Sequence, residues 1–175
     1  MKYVSSYKQV AEFGRKLLDR PALEEGLDLI SIYIKKVIIV DRCSIFIHNK
    51  KLNLLWTTLA EGTKKIIISS DEGVVGACVQ QAAPLIVNDP YHDDRFYADM
   101  DRKSGYRTQN LAVVPILSST GEVLGALELL NKDDDFDDDD VKFMRFFCGY
   151  ISGYIELALM FDEDRKFLHT DRYMQ

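Results

Sequence analysis

Little in this chain marks it as secreted, membrane-spanning or basic. Only three of its 175 residues are cysteines. Cys43, Cys78 and Cys148 are widely spaced, odd in number and set among apolar neighbours, the pattern of reduced buried thiols in a cytoplasmic protein. The three histidines (His48, His92 and His169) are also far apart. No apolar run approaches the ~20 residues that cross a bilayer. Lys8, Glu12 and Arg15 interrupt the start of the chain, so no signal peptide is expected there. There is no surplus of positive charge either: 22 Lys and Arg against 28 Asp and Glu give a formal charge of −6. Duplex nucleic acid and anionic membranes select basic surfaces and are excluded as main partners. A small anion remains compatible, because a few backbone amides can hold one. No nucleophile-elbow pattern supports a Ser-His-Asp hydrolase.

What is present is a core. Hydrophobic residues make up 47% and aromatics 11%, enough for one globular domain over about residues 1–165. Residues 166–175 read as a charged tail or a lead into a further domain.

Tyr7, Val10, Ala11, Gly14, Leu17 and Leu18 fall at helical spacing and predict a helix over 5–19. Pro21 opens a second, whose apolar stripe is Leu23, Leu27, Ile30, Ile34 and Val37. The period then changes to that of strands: 43–49, 52–58 and 64–69. Residues 73–83 read as a short helix and 84–89 as a brief extended piece. Residues 90–109 are polar and lack periodicity, which inside a compact domain marks a lid or binding loop. Two strong strands follow at 110–118 and 122–131, with a turn at Thr120-Gly121. Val141, Met144, Phe147, Cys148, Ile151, Ile155, Ala158 and Leu159 then mark a helix to about residue 165. The class is α+β, an antiparallel sheet of about six strands with helices on its faces.

Residues 131–140, NKDDDFDDDD, place seven aspartates around one phenylalanine. Clustered carboxylates suit hard cations, but no register supplies the glycine and terminal glutamate of an EF-hand loop. Strong periodicity on both sides excludes a disordered tail. The remaining reading is electrostatic: Asp137–Asp140 cap free amides and complement the positive end of the helix that follows. Phe136 anchors the loop to the core.

The stretch NDPYHDDRFYADMDRKSGYRTQNLAVVPILSSTGEVLGALELLNK (88–132) resembles a GAF domain. It is most similar to the regulatory GAF domains of cyclic-nucleotide phosphodiesterases and some adenylyl cyclases. Their NKFDE motif matches Asn131, Lys132, Phe136 and Asp140, with Val141 in place of the final Glu. The resemblance implies a salt bridge from Lys132 to Asp138, Asp139 or Asp140. It also implies terminal helices on one face of the sheet, with a short helix and lid over a pocket on the other. Carried over residue by residue, the ligand contacts are Ser44, Val74, Val75, Tyr97, Asp101, Ser104 (for Thr), Thr108 and Glu128. An aromatic-acid pair of the family falls on Ala60 and Glu61, so only the acid is kept. A base stacked on an aromatic ring gains about 1–3 kcal/mol in single-strand binders, so that difference bears on affinity.

The function implied is a non-enzymatic sensor module in signal transduction, with cGMP or cAMP as the expected ligand and no other cofactor. Its signal would leave through the terminal helices, in a homodimer and toward an output domain. A second reading keeps the dimer and relay but leaves the pocket vestigial. A third, free methionine sulfoxide reduction, needs a resolving thiol, and residues 90–109 contain no cysteine.

Overall fold

In the computed structural model, residues 2–19, 23–57 and 65–163 are described. Helices α1 (Val4–Leu18) and α2 (Leu23–Val37) come first. Strands β1 (Val40–Asn49), β2 (Leu54–Thr57) and β3 (Ile66–Ser69) follow, then helix α3 (Gly73–Gln81) and strand β4 (Leu85–Val87). The lid holds a 3-10 turn at Pro90–His92 and helix α4 (Ala98–Ser104). Strands β5 (Leu111–Leu117) and β6 (Val123–Lys132) lead into helix α5 (Asp138–Glu163). At 26 residues and ~1.5 Å per residue, α5 is about 39 Å long.

The six strands lie in the order β3-β2-β1-β6-β5-β4, and every neighbouring pair with a recorded register is antiparallel. Alternation along the strands sorts side chains onto two faces. Cys43, Ile45, Ile47, Leu127, Leu129, Ala112, Val114 and Ile116 face α1, α2 and α5 and join the larger core. Phe46, Leu111, Val113 and Ala126 face the other way and pack with Val74, Val75, Cys78 and Val79 of α3. This is the two-faced arrangement expected from the sequence.

Helix positions differ from expectation in detail. In α1 the buried stripe is Val10, Phe13, Gly14 and Leu17, whereas Ala11 and Leu18 are exposed. Phe13 selects that face, stacking on Tyr33 of α2 at 4.3 Å and approaching Phe147 of α5 at 5.6 Å. The side chain of Tyr7 and the residue Pro21 lie outside the described residues. Two glycines let α5 approach its neighbours. The Tyr150 hydroxyl occupies the space a side chain would fill at Gly14, and Tyr154 does the same at Gly26.

The lid is more ordered than its sequence suggests, since α4 forms within it. Asp99 and Asp101 stand in its first turn, Arg102 and Lys103 in its last, and Gly105 ends it at φ +70°. Strand β1 also starts earlier than expected, at Val40, where it pairs with Lys132.

Candidate functional site

The site is built on a row of residues that crosses the sheet. Ser44 of β1 stands opposite Glu128 of β6, Glu128 opposite Val113 of β5, and Val113 opposite Leu85 of β4. Cross-strand neighbours like these place their side chains roughly 5 Å apart on one face. Ser44 and Val113 are buried and Glu128 is half-buried. Helix α3 covers this face, packing on β5 and β6. It enters through Gly73, whose φ of +74° is costly for any residue with a side chain. A side chain at Gly76 would meet the Asp71 carbonyl carbon at 2.7 Å, so α3 sits directly against the turn before it. Val74 and Val75, on the first turn of α3, are buried in the cluster beneath it.

The lid meets the same cluster through Phe96. Asp101 is buried and accepts three hydrogen bonds: from Tyr91 Oη at 2.8 Å, from the Thr108 amide at 2.7 Å and from Thr108 Oγ1 at 3.0 Å. Asp101 and Thr108 therefore hold α4 and the end of the lid to each other. The lid arginines are engaged locally as well. Arg95 grips Asp93 with Nε at 2.9 Å and Nη2 at 2.6 Å, holding the Asp93 carboxyl down at about 2. Arg102 pairs with Asp99 at 3.2 Å, and Arg107 lies 5.3 Å from the centre of the Tyr91 ring. Tyr106 fastens the lid to β1 by donating to Asp41 at 2.8 Å, with the Arg42 guanidinium 3.6 Å from its ring centre.

Of the residues predicted from sequence, Ser44 and Glu128 stand opposite each other on the sheet face that α3 covers, and Val74 and Val75 are buried on α3. Asp101 and Thr108 form a bonded pair in the lid. Tyr97 and Ser104 are exposed; Ser104 Oγ donates to the Met100 carbonyl at 2.9 Å and closes the last turn of α4. Glu61 lies outside the described residues.

Glu128 carries the distinctive electrostatics. Burial, reinforced by the charge of Asp101, raises its carboxyl from an ordinary 4.5 to about 7. Burial and the charge of Glu128 also push the Cys78 thiol up to about 12. A carboxyl whose folded value is raised binds a proton more tightly in the folded state. Its contribution to stability is complete below the unfolded value and is lost as pH rises through about 7. Glu128→Gln should therefore flatten the fall in stability between pH 4.5 and 7. At pH 8 it should gain on the order of 1–3 kcal/mol, since Glu128 is only half-buried. Urea denaturation across that range checks this, and parallel slopes in the two proteins would refute it.

The joint beyond the lid is held by three asparagines, only one of which the motif marks. Asn131, at φ +56°, accepts the Gln109 amide at 2.7 Å and donates to the Arg107 carbonyl at 2.9 Å. Asn110 accepts the Lys132 amide and donates to the Lys132 carbonyl, both at 2.9 Å. Asn88 brackets Phe136, accepting its amide at 3.0 Å and donating to its carbonyl at 3.1 Å. The partner of Lys132 is Asp140, at 2.8 Å; Asp138 and Asp139 point elsewhere, and Asp139 pairs with Lys142 at 3.0 Å. Phe136 is buried, as an anchor must be.

Comparison with known proteins agrees with this fold. The GAF domain family model matches residues 22–155. The dual 3',5'-cyclic-AMP and -GMP phosphodiesterase 11A of Takifugu rubripes is 26% identical over 166 residues. That match takes in 82% of this chain but only 18% of the phosphodiesterase. The GAF domain of a phosphoenolpyruvate-protein phosphotransferase from Coxiella burnetii superposes with a TM-score of 0.74 at 17% identity, covering 93% of this chain and 96% of that one. The free methionine-R-sulfoxide reductase of Neisseria meningitidis, solved with its substrate, superposes with a TM-score of 0.71 at 16% identity, covering 86% and 88%. At these identities the two solved structures establish the fold alone.

Proposed function

As this chain belongs to the GAF domain family, we propose that its regulatory role is exercised by binding a small molecule between α3, the β1-β6-β5 face and the lid. The ligand proposed is a cyclic nucleotide, cGMP or cAMP. The observation that carries this reading is Glu128, a half-buried carboxyl set between Ser44 and Val113 under a covering helix. A purine offers N–H donors that such a carboxylate accepts, with Ser44 as a second polar contact. The ring phosphate is assigned to the start of α3, where a helix N-terminus favours an anion despite the acidic character of the whole chain. Similarity to a cyclic-nucleotide phosphodiesterase supports the same class of ligand. Calorimetry with cGMP and with cAMP is expected to show saturable heat for at least one, with a matching rise in melting temperature. Absence of both effects for both nucleotides would overturn the assignment.

A second reading, dimerisation and relay, is favoured by the outer face of α5. Phe146, Tyr150, Leu157 and Met160 are 43%, 42%, 54% and 64% exposed. With Gly153 between them, these positions follow the alternating four- and three-residue spacing of a helix-pairing seam. We assign this face to a second copy of the chain, with α5 carrying the signal toward an output domain. Sedimentation velocity should show a dimer that Leu157→Glu converts to monomer; a wild-type monomer at high concentration would refute the seam.

Reductase chemistry is disfavoured by the same geometry. Cys78 is fully buried in an apolar cluster, and its raised thiol is a poor source of thiolate near neutral pH.

A further inference from the structure

The NKFDE-like joint is gripped from an unexpected direction. Asp140 is fully buried, and beside Lys132 it takes two partners from the start of the chain. Lys2 Nζ donates to its Oδ1 at 2.9 Å and Tyr3 Oη to the same oxygen at 2.5 Å. Lys2 also reaches Asp137 at 3.2 Å. The Asp137 amide donates to Asp140 Oδ2 at 3.0 Å, and the Asp140 amide donates back to Asp137 Oδ1 at 2.9 Å. Tyr3 immediately precedes α1, and its ring lies 4.9 Å from that of Phe143 on α5. One carboxylate thus joins the entry to α1, the end of β6 and the first turn of α5.

The other side of this joint is the lid. Lys132 follows Asn131 directly, and Asn131 holds the lid end through the Gln109 amide and the Arg107 carbonyl. Next to Gln109, Thr108 is bound twice to Asp101 of α4. The links run without a break from Tyr3 and Lys2 through Asp140, Lys132 and Asn131 to Gln109, Thr108 and Asp101. Each is a hydrogen bond, an ion pair or a peptide bond. Several members are buried: Asp140 fully, Thr108 and Asp101 nearly so, and the Lys132 side chain is only 9% exposed. Buried polar groups are costly to leave unpaired, so loss of one partner is relieved by movement of the rest.

We propose that Lys2 and Tyr3 are positioning residues that couple the docking of α1 to the closure of the lid through Asp140 and Asn131. Docking of α1 favours the closed lid end, and by reciprocity closure of the lid favours a docked α1. The coupling is a property of the empty protein, so it stands or falls independently of the nucleotide assignment. It also gives the N-terminal helix a role distinct from the α5 seam, since no α5 seam residue takes part.

Amide hydrogen exchange resolved by residue tests this on the full chain. Reporters are the amides of Thr108 and Gln109, exchanging by local opening faster than the core-strand amide of Leu127. Each is read as a ratio to the amide of Leu52, which donates to Asn49 at 3.1 Å in the turn at the far end of β1 and opens with the joint intact. Tyr3→Phe removes one hydrogen bond to Asp140, and Lys2→Met removes one charge. Tyr3→Phe should raise the two ratios by roughly 3–10-fold, the range expected for one hydrogen bond's net worth, and Lys2→Met by under about 5-fold, since its side chain is 38% exposed. Glu156→Gln serves as control: it weakens the bonds of Ser119 to α5, at 3.0 and 2.9 Å, and should leave both ratios unchanged. In an Asn131→Ala background the Tyr3→Phe effect on Thr108 should vanish. Unchanged ratios in both N-terminal variants would overturn the proposal. So would an equal effect of Tyr3→Phe with and without Asn131, since the link would then bypass the joint.

Discussion

Gly125→Ala should destabilise the protein by about 3 kcal/mol or more, among the largest effects of any single methyl group in the chain. Gly125 lies in β6 at the middle of the sheet, opposite Ile47 of β1 and Ile116 of β5. A β-carbon there would stand 1.9 Å from the Phe46 carbonyl oxygen, 3.0 Å from its carbon and 3.2 Å from Ile47 Cα. All three obstacles are backbone atoms, so no side-chain rotation can relieve the clash. Strand β1 cannot retreat either, because β2 pairs with its far edge and α2 packs on it. The methyl group can be accommodated only by parting β1 from β6. That separation would also widen the Ser44–Glu128 pair, three residues along β6, so ligand binding should weaken with stability. Gly14 offers an internal contrast. The atom nearest a new side chain there is the Tyr150 hydroxyl, the far end of a half-exposed and rotatable side chain, so Gly14→Ala should cost much less. Denaturation midpoints of the two variants decide this, and a Gly125→Ala protein within about 1 kcal/mol of wild type would refute it.

The fold was legible because the sheet separates two environments. On β1, residues 43, 45 and 47 face the three long helices while 44 and 46 face α3, so alternation is plain from Cys43 onward. It is lost at Asp41 and Arg42, whose role is tertiary: they receive Tyr106 from the lid. The start of β1 was hidden for that reason. Helix α4 was hidden similarly, since seven residues are too few to show a period and it is held by Asp101 to Tyr91 and Thr108. The partner of Lys132 was more accessible than it looked. Met144, Phe147 and Ile151 define the buried face of α5, and position 140 lies one turn before Met144 on that face. Asp138 and Asp139 fall outside it. By contrast, nothing local marks Asn88 and Asn110 as ties, or Lys2 and Tyr3 as partners of a residue more than 130 positions away. Of the candidate site, the placement of the strand residues follows from alternation, whereas the bonds of Asp101 to Tyr91 and Thr108 follow only from the folded loop.

Asp140→Ala should cost on the order of 3–5 kcal/mol, because it leaves the little-exposed Lys132 ammonium without a counter-ion, with the Asp135 carbonyl, at 2.6 Å, still accepting from it. The Lys132 side chain is 9% exposed and that of Asp140 is fully buried. Burial alone would push the Asp140 carboxyl up, but hydrogen bonds from Lys132, Tyr3, Lys2 and the Asp137 amide outweigh it and hold it at about 2. Lys132→Met leaves Asp140 with its N-terminal partners and should cost somewhat less, on the order of 2–4 kcal/mol. Lys2→Met should cost under about 1 kcal/mol, since its side chain is 38% exposed and water replaces part of the lost pair. The sign of the pH dependence follows from the depressed carboxyl. Its stabilisation is complete above the unfolded value and is lost as pH falls from about 4 toward 2. Wild type should therefore lose stability steeply over that interval, whereas Asp140→Asn, which cannot titrate, should show a shallower acid limb from a lower plateau. Glu128 acts in the opposite sense, at higher pH, so the two limbs are separable in a single titration of unfolding midpoints. If Asp140→Asn kept the full acid limb, the stabilising charge would belong to another depressed carboxyl, Asp93 beside Arg95 included, and the clasp would lose its central residue.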